Sequence, residues 1–491
     1  MRTLRRLLLA LLAALTLLVA IVAIRTVTYQ GPVPAASAAV EVAPATQVDV
    51  TRAARNLAAA IQIRTISHQD PRENDPAEWD RLHAWLQSTY PAAHAAMTRE
   101  LVAGHTLIYT WAGKDAAQPP ILLMAHQDVV PVTAGTEGDW THPPFDGVVD
   151  ADAVWGRGAV DDKGALVAIF EALESLAGNG FVPQRTIYIV SGHDEEAGGS
   201  GAKAAAALLQ QRGVRPEFVL DEGMLIVKDF PLLGRPVALI GVGEKGYATL
   251  KVTAPAQGGH SSAPPAETGV EVLARAVLSI TGNPFPLEFE GPAADMVRAL
   301  APDASLLVRA AVANEWLFRP LLVRQIASTP AGAASLHTTI APTMLRGSPK
   351  ENVLPQDATA WINYRIAPGT TAADVMQRAR SATSTLKVDL AWEGNAYDPP
   401  PVSSIDTRAY RVLSALASGE EKLPVAPGLV TATTDSRFMT TLSDSIYRYA
   451  PIAATLDELK MIHGTNERMT LENLRRTVDF YARLVVTTAG K

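Results

Sequence analysis

Three short apolar runs each end in side chains that can bind a metal or move a proton. Ile121-Leu122-Leu123-Met124-Ala125 runs into His126-Gln127-Asp128, and Phe218-Val219-Leu220 runs into Asp221-Glu222. Between them, Thr186 to Val190 passes through Ser191-Gly192-His193-Asp194 into Glu195-Glu196. A fourth segment, Gly156 to Gly164, carries Asp161 and Asp162 just ahead of a helical apolar pattern over Ala165 to Leu176. With no cysteine in 491 residues, thiolate zinc sites and disulfides are excluded, and His, Asp and Glu remain as the strong ligands. Residues two apart in an extended segment share a face. His126 and Asp128 can therefore act together, one binding metal while the other fixes the imidazole tautomer. Adjacent Glu195 and Glu196 point apart, so one can bind a metal while the other stays beside a metal-activated water as a base. That is the division of labour hydrolysis needs. One histidine or one acid pair is more often structural than chemical; four such motifs at one edge of a fold are not.

The elements that must position them follow from the pattern. Strand-like runs alternating with helical ones predict an α/β fold, with a mostly parallel sheet flanked by helices and the site beyond the strands' carboxyl ends. After Gly246 the style changes. Strand-like Tyr247–Val252, helical Glu267–Ile280, strand-like Thr338–Leu345 and Ala358–Ile366, helical Ala372–Thr385 and strand-like Lys387–Trp392 spell β-α-β-β-α-β, a ferredoxin-like α+β layer. Residues 283–335 do not fit that order and read as an insertion. The catalytic domain is expected over 49–245 and 395–491, with the smaller layer over 246–394. The last helix is expected over Leu471 to Val486.

The N-terminus sets the compartment. Arg2, Arg5 and Arg6 precede an apolar run from Leu7 to Ile24 broken only by Thr16. Eighteen helical residues span roughly 27 Å, close to the ~30 Å hydrocarbon core, and exceed the usual h-region of a cleaved signal, about 7–15 residues. A signal anchor over 1–25 is expected, with the arginines cytoplasmic and the rest exported, followed by an Ala/Pro-rich linker over 26–48. Small residues Ala35, Ala36, Ser37 and Ala38 offer the alternative of cleavage and secretion. In a bacterial host, export means periplasm or cell surface. The net charge of -7 argues against nucleic acid as a partner, since no basic stripe is present to displace counterions.

These motifs, in this order, resemble the co-catalytic zinc peptidase family of aminoacylase, carboxypeptidase G2 and carboxypeptidase S, zinc metallopeptidase family 20. The resemblance runs from about residue 50 to the C-terminus and is strongest to the carboxypeptidase S and N-acyl-amino-acid hydrolase branch. It implies two Zn2+ per subunit, replaceable by Co2+ or Mn2+. His126 would bind one ion, Glu196 the other, and Asp161 both. Asp128 would orient His126, and Glu195 would be the general base. Asp221 and Glu222 compete for the remaining place at the first ion, and the aminoacylase pattern favours Glu222. Met461-Ile462-His463-Gly464 resembles the family's late His segment, making His463 the last ligand. Gly258-Gly259-His260-Ser261-Ser262 resembles the lid motif whose His steadies the oxyanion, often across a homodimer. Asn352 in Glu351-Asn352-Val353-Leu354-Pro355, Arg365, and Thr434 and Arg437 in Thr433-Thr434-Asp435-Ser436-Arg437 would contact substrate. A guanidinium at Arg365 suits a carboxylate through paired hydrogen bonds. The other histidines, 68, 83, 94, 105, 142, 193 and 337, read as structural.

The expected activity is hydrolysis of a peptide or N-acyl amide next to a free carboxylate, releasing an amino acid. Two rivals stand beside it: reversible synthesis and hydrolysis of N-acyl amino acids, and a non-catalytic membrane-tethered scaffold that keeps the fold.

Overall fold

A computed structural model describes residues 2–32 and 40–490. The small-residue stretch Ala35 to Ala38 lies outside the described residues. The chain divides into two compact units, one of residues 32–242, 403–428 and 434–491, the other of residues 1–31, 243–402 and 429–433.

The first unit is built on an eight-stranded sheet. In spatial order its strands are Thr98–Val102, Thr106–Trp111, Ile187–Ser191, Ile121–Met124, Phe218–Phe230, Ile446–Ala454, Arg235–Glu244 and Val425–Val430. The four from Ile187–Ser191 to Ile446–Ala454 are parallel. The sheet as a whole is mixed rather than mostly parallel, because Thr98–Trp111 is an antiparallel hairpin and Arg235–Glu244 runs antiparallel to Ile446–Ala454 and Phe218–Phe230. Every residue of Ile121–Met124 is buried, as expected of a strand covered on both faces. Alternate residues serve the two sides. Ile121 and Leu123 join the core beneath helices Val50–Ile61, Lys163–Gly178 and Leu471–Ala489. Leu122 and Met124 join the core beneath Ser200–Gln211.

Two features tie the site-bearing loops to this frame. Lys163, fully buried, donates through Nζ to the carbonyls of Ala60 (3.0 Å) and Ile63 at the end of helix Val50–Ile61, where helix carbonyls lack intrahelical donors. Residues 40–48 are not a free linker. Val40, Val42 and Val48 pack on the core, Thr46 N donates to Asp479 Oδ1 at 2.6 Å, and Arg483 Nε donates to Ala43 O at 2.8 Å.

The second unit holds an antiparallel sheet in the order Thr339–Arg346, Asp357–Ile366, Gly246–Pro255, Asp389–Trp392. Helices Gly269–Thr281 and Ala372–Ala382 cover one face, so Gly246–Pro255 alternates buried and half-buried residues. Both helices open with a capping box, Thr268 with Glu271 and Thr371 with Asp374, each satisfying two orphan donors. The element order is the β-α-β-β-α-β read from the sequence. The insertion is helical: Gly291–Leu300, Leu306–Ala313, Glu315–Ile326 and Pro330–Leu336. The N-terminal helix extends over Arg2–Thr28, past the expected end at residue 25, and none of its most apolar eighteen residues is buried.

Candidate metal centre

In the first unit the strand ends deliver their side chains to one place. His126 follows strand Ile121–Met124, and Glu195 and Glu196 form the short turn after Ile187–Ser191. Glu222 lies within Phe218–Phe230, and Asp161 precedes helix Lys163–Gly178. His463 comes from the far end of the chain, on a residue with φ of 59°. Asp161 divides its carboxylate between the two histidines: Oδ1 lies 2.9 Å from His126 Nε2 and Oδ2 lies 3.0 Å from His463 Nε2. Glu196 Oε1 is 2.9 Å from His463 Nε2, and Glu222 Oε1 is 3.6 Å from His126 Nε2. Two groups of candidate ligands overlap at His126, one with Asp161 and Glu196, the other with Asp162 and Glu222. Asp221, the competitor of Glu222, is committed elsewhere, since its carboxylate accepts from the backbone N–H groups of Ser436 (2.8 Å) and Glu222 (3.0 Å).

This donor set fits divalent cations. Tetrahedral ligation with bonds of about 2.0–2.2 Å places neighbouring ligand atoms about 3.3 Å apart, and the observed separations bracket that. The electrostatics agree. Burial, reinforced by neighbouring carboxylates, drives Glu195 and Glu222 well above the usual carboxylate range. Burial opposes the charged form of His126, yet hydrogen bonds to Asp128 and Asp161 carry it well above its ordinary value. Hydrogen bonds to Asp161 and Glu196 push His463 up to about 10. A cation would replace the protons that this cluster otherwise retains.

Asp128 is the hub behind the cluster. It is fully buried, its Oδ1 lies 3.2 Å from His126 Nδ1, and it accepts from the backbone N–H of both Glu195 and Glu196 at 3.1 Å. Ser67 donates a further hydrogen bond. His126 Nδ1 also donates to the Asp128 backbone carbonyl at 3.0 Å, so this one residue fixes a histidine tautomer and both glutamates. Glu195 belongs to neither ligand group; Arg437 lies 3.7 Å from its Oε1. Thr434 is buried, its hydroxyl 2.7 Å from Ser436 Oγ and accepting from Arg448 Nε, so it supports the loop from within.

Several residues at this site escaped the sequence reading. Glu467 accepts from the N–H of Val160 and Asp161 and forms a buried pair with Arg157 at 2.7 Å, fixing the loop that carries Asp161. Gln127 Oε1 accepts from His83 Nε2, and its Nε2 donates to the carbonyls of His105 and Ser191. Asp435 is buried with neither oxygen hydrogen-bonded among the described residues. Its carboxylate is lodged so close to Gly192 and Gly199 that a Cβ at either would sit 2.2 Å from it. A threonine-rich loop gives no hint of this fit.

The second unit holds its own group. His260 pairs with Val353 in a two-residue ladder, next to Asn352, whose Oδ1 is buried without a hydrogen bond among the described residues. His260 is exposed, and its Nδ1 is engaged by the N–H and hydroxyl of Ser262. Arg365, on strand Asp357–Ile366, stacks over Tyr247 at 4.8 Å. Lys245, not singled out by the sequence, is buried and pushed down to about 8 by desolvation and then by Arg365.

The profile of Peptidase family M20/M25/M40 matches residues 122–487. The chain belongs to this family, and it is a hydrolase. Among similar members is "Probable carboxypeptidase S-like 2" of Dictyostelium discoideum, 36% identical over 446 residues, covering 89% of this chain and 85% of the relative. Human "N-fatty-acyl-amino acid synthase/hydrolase PM20D1" is 36% identical over 437 residues, covering 87% and 86%. Carboxypeptidase S of Saccharomyces cerevisiae is 30% identical over 486 residues, covering 88% and 83%. Solved M20 structures share the fold: the metallo-carboxypeptidase Sso-CP2 of Sulfolobus solfataricus has a TM-score of 0.66 at 16% identity, covering 88% of this chain and 98% of that one.

Proposed function

We propose that this M20 peptidase is a di-zinc amidohydrolase that cleaves a peptide or N-acyl amide next to a free carboxylate. The observation that carries the reading is the division of Asp161 between His126 and His463, with half-buried Glu195 beside the ligands but not among them. His126, Asp161 and Glu222 would hold one ion, and His463, Asp161 and Glu196 the other. Bound there, zinc would polarise the scissile carbonyl and bring the pKa of a water toward about 7. Glu195 takes that water's proton and passes it to the leaving amine. A carboxyl raised by burial suits both duties better than an ordinary one. Asp128 keeps His126 in register through Nδ1. We assign His260 and Asn352 to the carbonyl oxygen as it gains charge, and Arg365 and Arg437 to the substrate carboxylate. In Glu195→Gln both metals remain and turnover falls about 10²–10⁴-fold. Near-full activity would remove Glu195 from the mechanism.

The family resemblance also implies a homodimer in which His260 serves the other subunit. Mixing Glu195→Gln and His260→Ala chains restores turnover in that arrangement and leaves it unrestored if each subunit is self-sufficient. A second reading, reversible N-acyl amino acid synthesis, is favoured by the activity for which the human relative is named. Assaying condensation and hydrolysis on one N-acyl amino acid separates the two.

We further assign the helix Arg2–Thr28 as a retained anchor, with the enzyme outside the cytoplasm. Val22, Arg25, Thr26 and Tyr29 are hydrogen-bonded to residues 298–314, links that removal of a leader would break.

A further inference from the structure

The insertion at 283–335 has no part in the proposed chemistry, yet two of its helices are oddly dressed. Leu306–Ala313 and Glu315–Ile326 turn apolar side chains outward: Leu307 is 83% exposed, Leu306 68% and Trp316 58%, with Leu317 and Leu321 also open. One exposed leucine is ordinary. Five large apolar residues on consecutive helices, with exposed Arg319 and Arg324 among them, make a patch of the kind that meets a partner.

These helices also receive the base of the N-terminal helix. Arg25 Nε donates to Ala313 O at 3.0 Å, and Asn314 Nδ2 donates to Val22 O and Thr26 Oγ1 at 3.3 Å. Arg309 donates to Tyr29 O at 3.1 Å, and Tyr29 donates to Arg298 O at 3.2 Å. Thr26 is buried there, whereas the leucines from Leu4 to Leu17 on the same helix are open. The patch is therefore pinned to the point where an anchor helix leaves the hydrocarbon.

We propose that helices Leu306–Ala313 and Glu315–Ile326 form a membrane-seating platform, resting in the headgroup region of the leaflet from which the anchor emerges. Leu306, Leu307, Leu317 and Leu321 enter the acyl boundary. Trp316 sits at headgroup depth, where amphipathic rings concentrate, and Arg324 meets lipid phosphates, while Arg319 is paired with Glu315 and Glu290. A bilayer, not a second copy, is the occupant because the patch is continuous with a helix whose own open apolar surface calls for lipid. The proposal rests on the anchor reading and is independent of the hydrolase reading.

The full chain has no cysteine, so one introduced thiol is unique. Leu307→Cys, Leu321→Cys and, as an aqueous reference, the exposed Ser384→Cys are labelled with a small fluorophore. The full-length protein is reconstituted in phosphatidylcholine–phosphatidylglycerol vesicles. At 307 and 321, quenching by nitroxide lipids is expected to exceed that at 384 several-fold, and iodide quenching to be several-fold weaker. Iodide access equal to that at 384, with the chain still in the vesicles, overturns the platform and leaves the anchor standing. Exclusion of both quenchers together with cross-linked dimers assigns the patch to a second copy and also overturns it. A chain recovered without its first 31 residues overturns anchor and platform together.

Discussion

Asp128 and His260 represent two ways of holding a functional side chain. Asp128 is fully buried and accepts hydrogen bonds from Ser67 and from the backbone of Glu195 and Glu196. Around it, a buried Arg157–Glu467 pair and Lys163 fix the adjoining loop from behind. His260 stands exposed on a two-residue ladder, steadied by one neighbouring serine. The first arrangement is preorganised: its geometry is set before any ligand arrives. The second leaves a donor whose partner must come from elsewhere. Rigid wiring suits metal ligands, where small displacements cost affinity, and sparse contacts suit groups that engage a substrate.

Perturbing each side of this contrast should give different signatures. The largest effect is expected from Asp161→Asn, which weakens the carboxylate shared by His126 and His463. Both ions and all measurable turnover should be lost together, read by elemental analysis and assay; loss of one ion alone would mean that Asp161 does not serve both. His260→Ala should leave metal content unchanged and lower kcat about 10²–10³-fold, the scale of a lost oxyanion donor. If metal is lost as well, the two groups are not separable. Arg365→Lys should raise KM roughly tenfold for substrates with a free carboxylate, because an ammonium cannot reproduce the paired hydrogen bonds. An amidated substrate should show no such penalty.

The mildest test is pH. In the metal-free chain His463 is raised from 6.5 to about 10 by Asp161 and Glu196. Its imidazolium therefore stabilises the metal-free fold fully below about 6.5, and that support is lost as pH rises through about 10. A metal needs the neutral ring, so binding near pH 7 should release a proton and tighten as pH rises, roughly tenfold per unit for each proton displaced. Calorimetry in two buffers of different protonation enthalpy measures that release; identical heats would contradict it.

What was legible in the sequence follows the same contrast. His126, Glu195, Glu196 and Glu222 could be read because each sits at the end of a continuous apolar run, where periodicity and chemistry coincide. The β-α-β-β-α-β order was legible where one-sided burial imposes period two, most plainly in Gly246–Pro255. Antiparallel Thr98–Trp111 and Arg235–Glu244 were missed although Val237 to Val242 is apolar and buried throughout, because an apolar run does not state its direction in the sheet. Arg157 and Glu467 are 310 positions apart, and neither residue's local sequence announces the other. Asp435 depends on two glycines in another segment. The helices of 283–335 could only be read as an interruption, because their outward leucines and Trp316 blur the amphipathic stripe by which a helix is recognised.

Everything proposed for this enzyme turns on a two-ion hydrolytic centre organised by Asp161. The most direct measurement is metal content alongside activity on the full chain, purified without chelator and assayed against dipeptides and N-acyl amino acids. About two zinc ions per chain are expected, with release of an amino acid that stops on chelation and returns with zinc. A chain that binds no metal and stays inactive after zinc is added would contradict it, and would leave the site as preserved architecture on a scaffold.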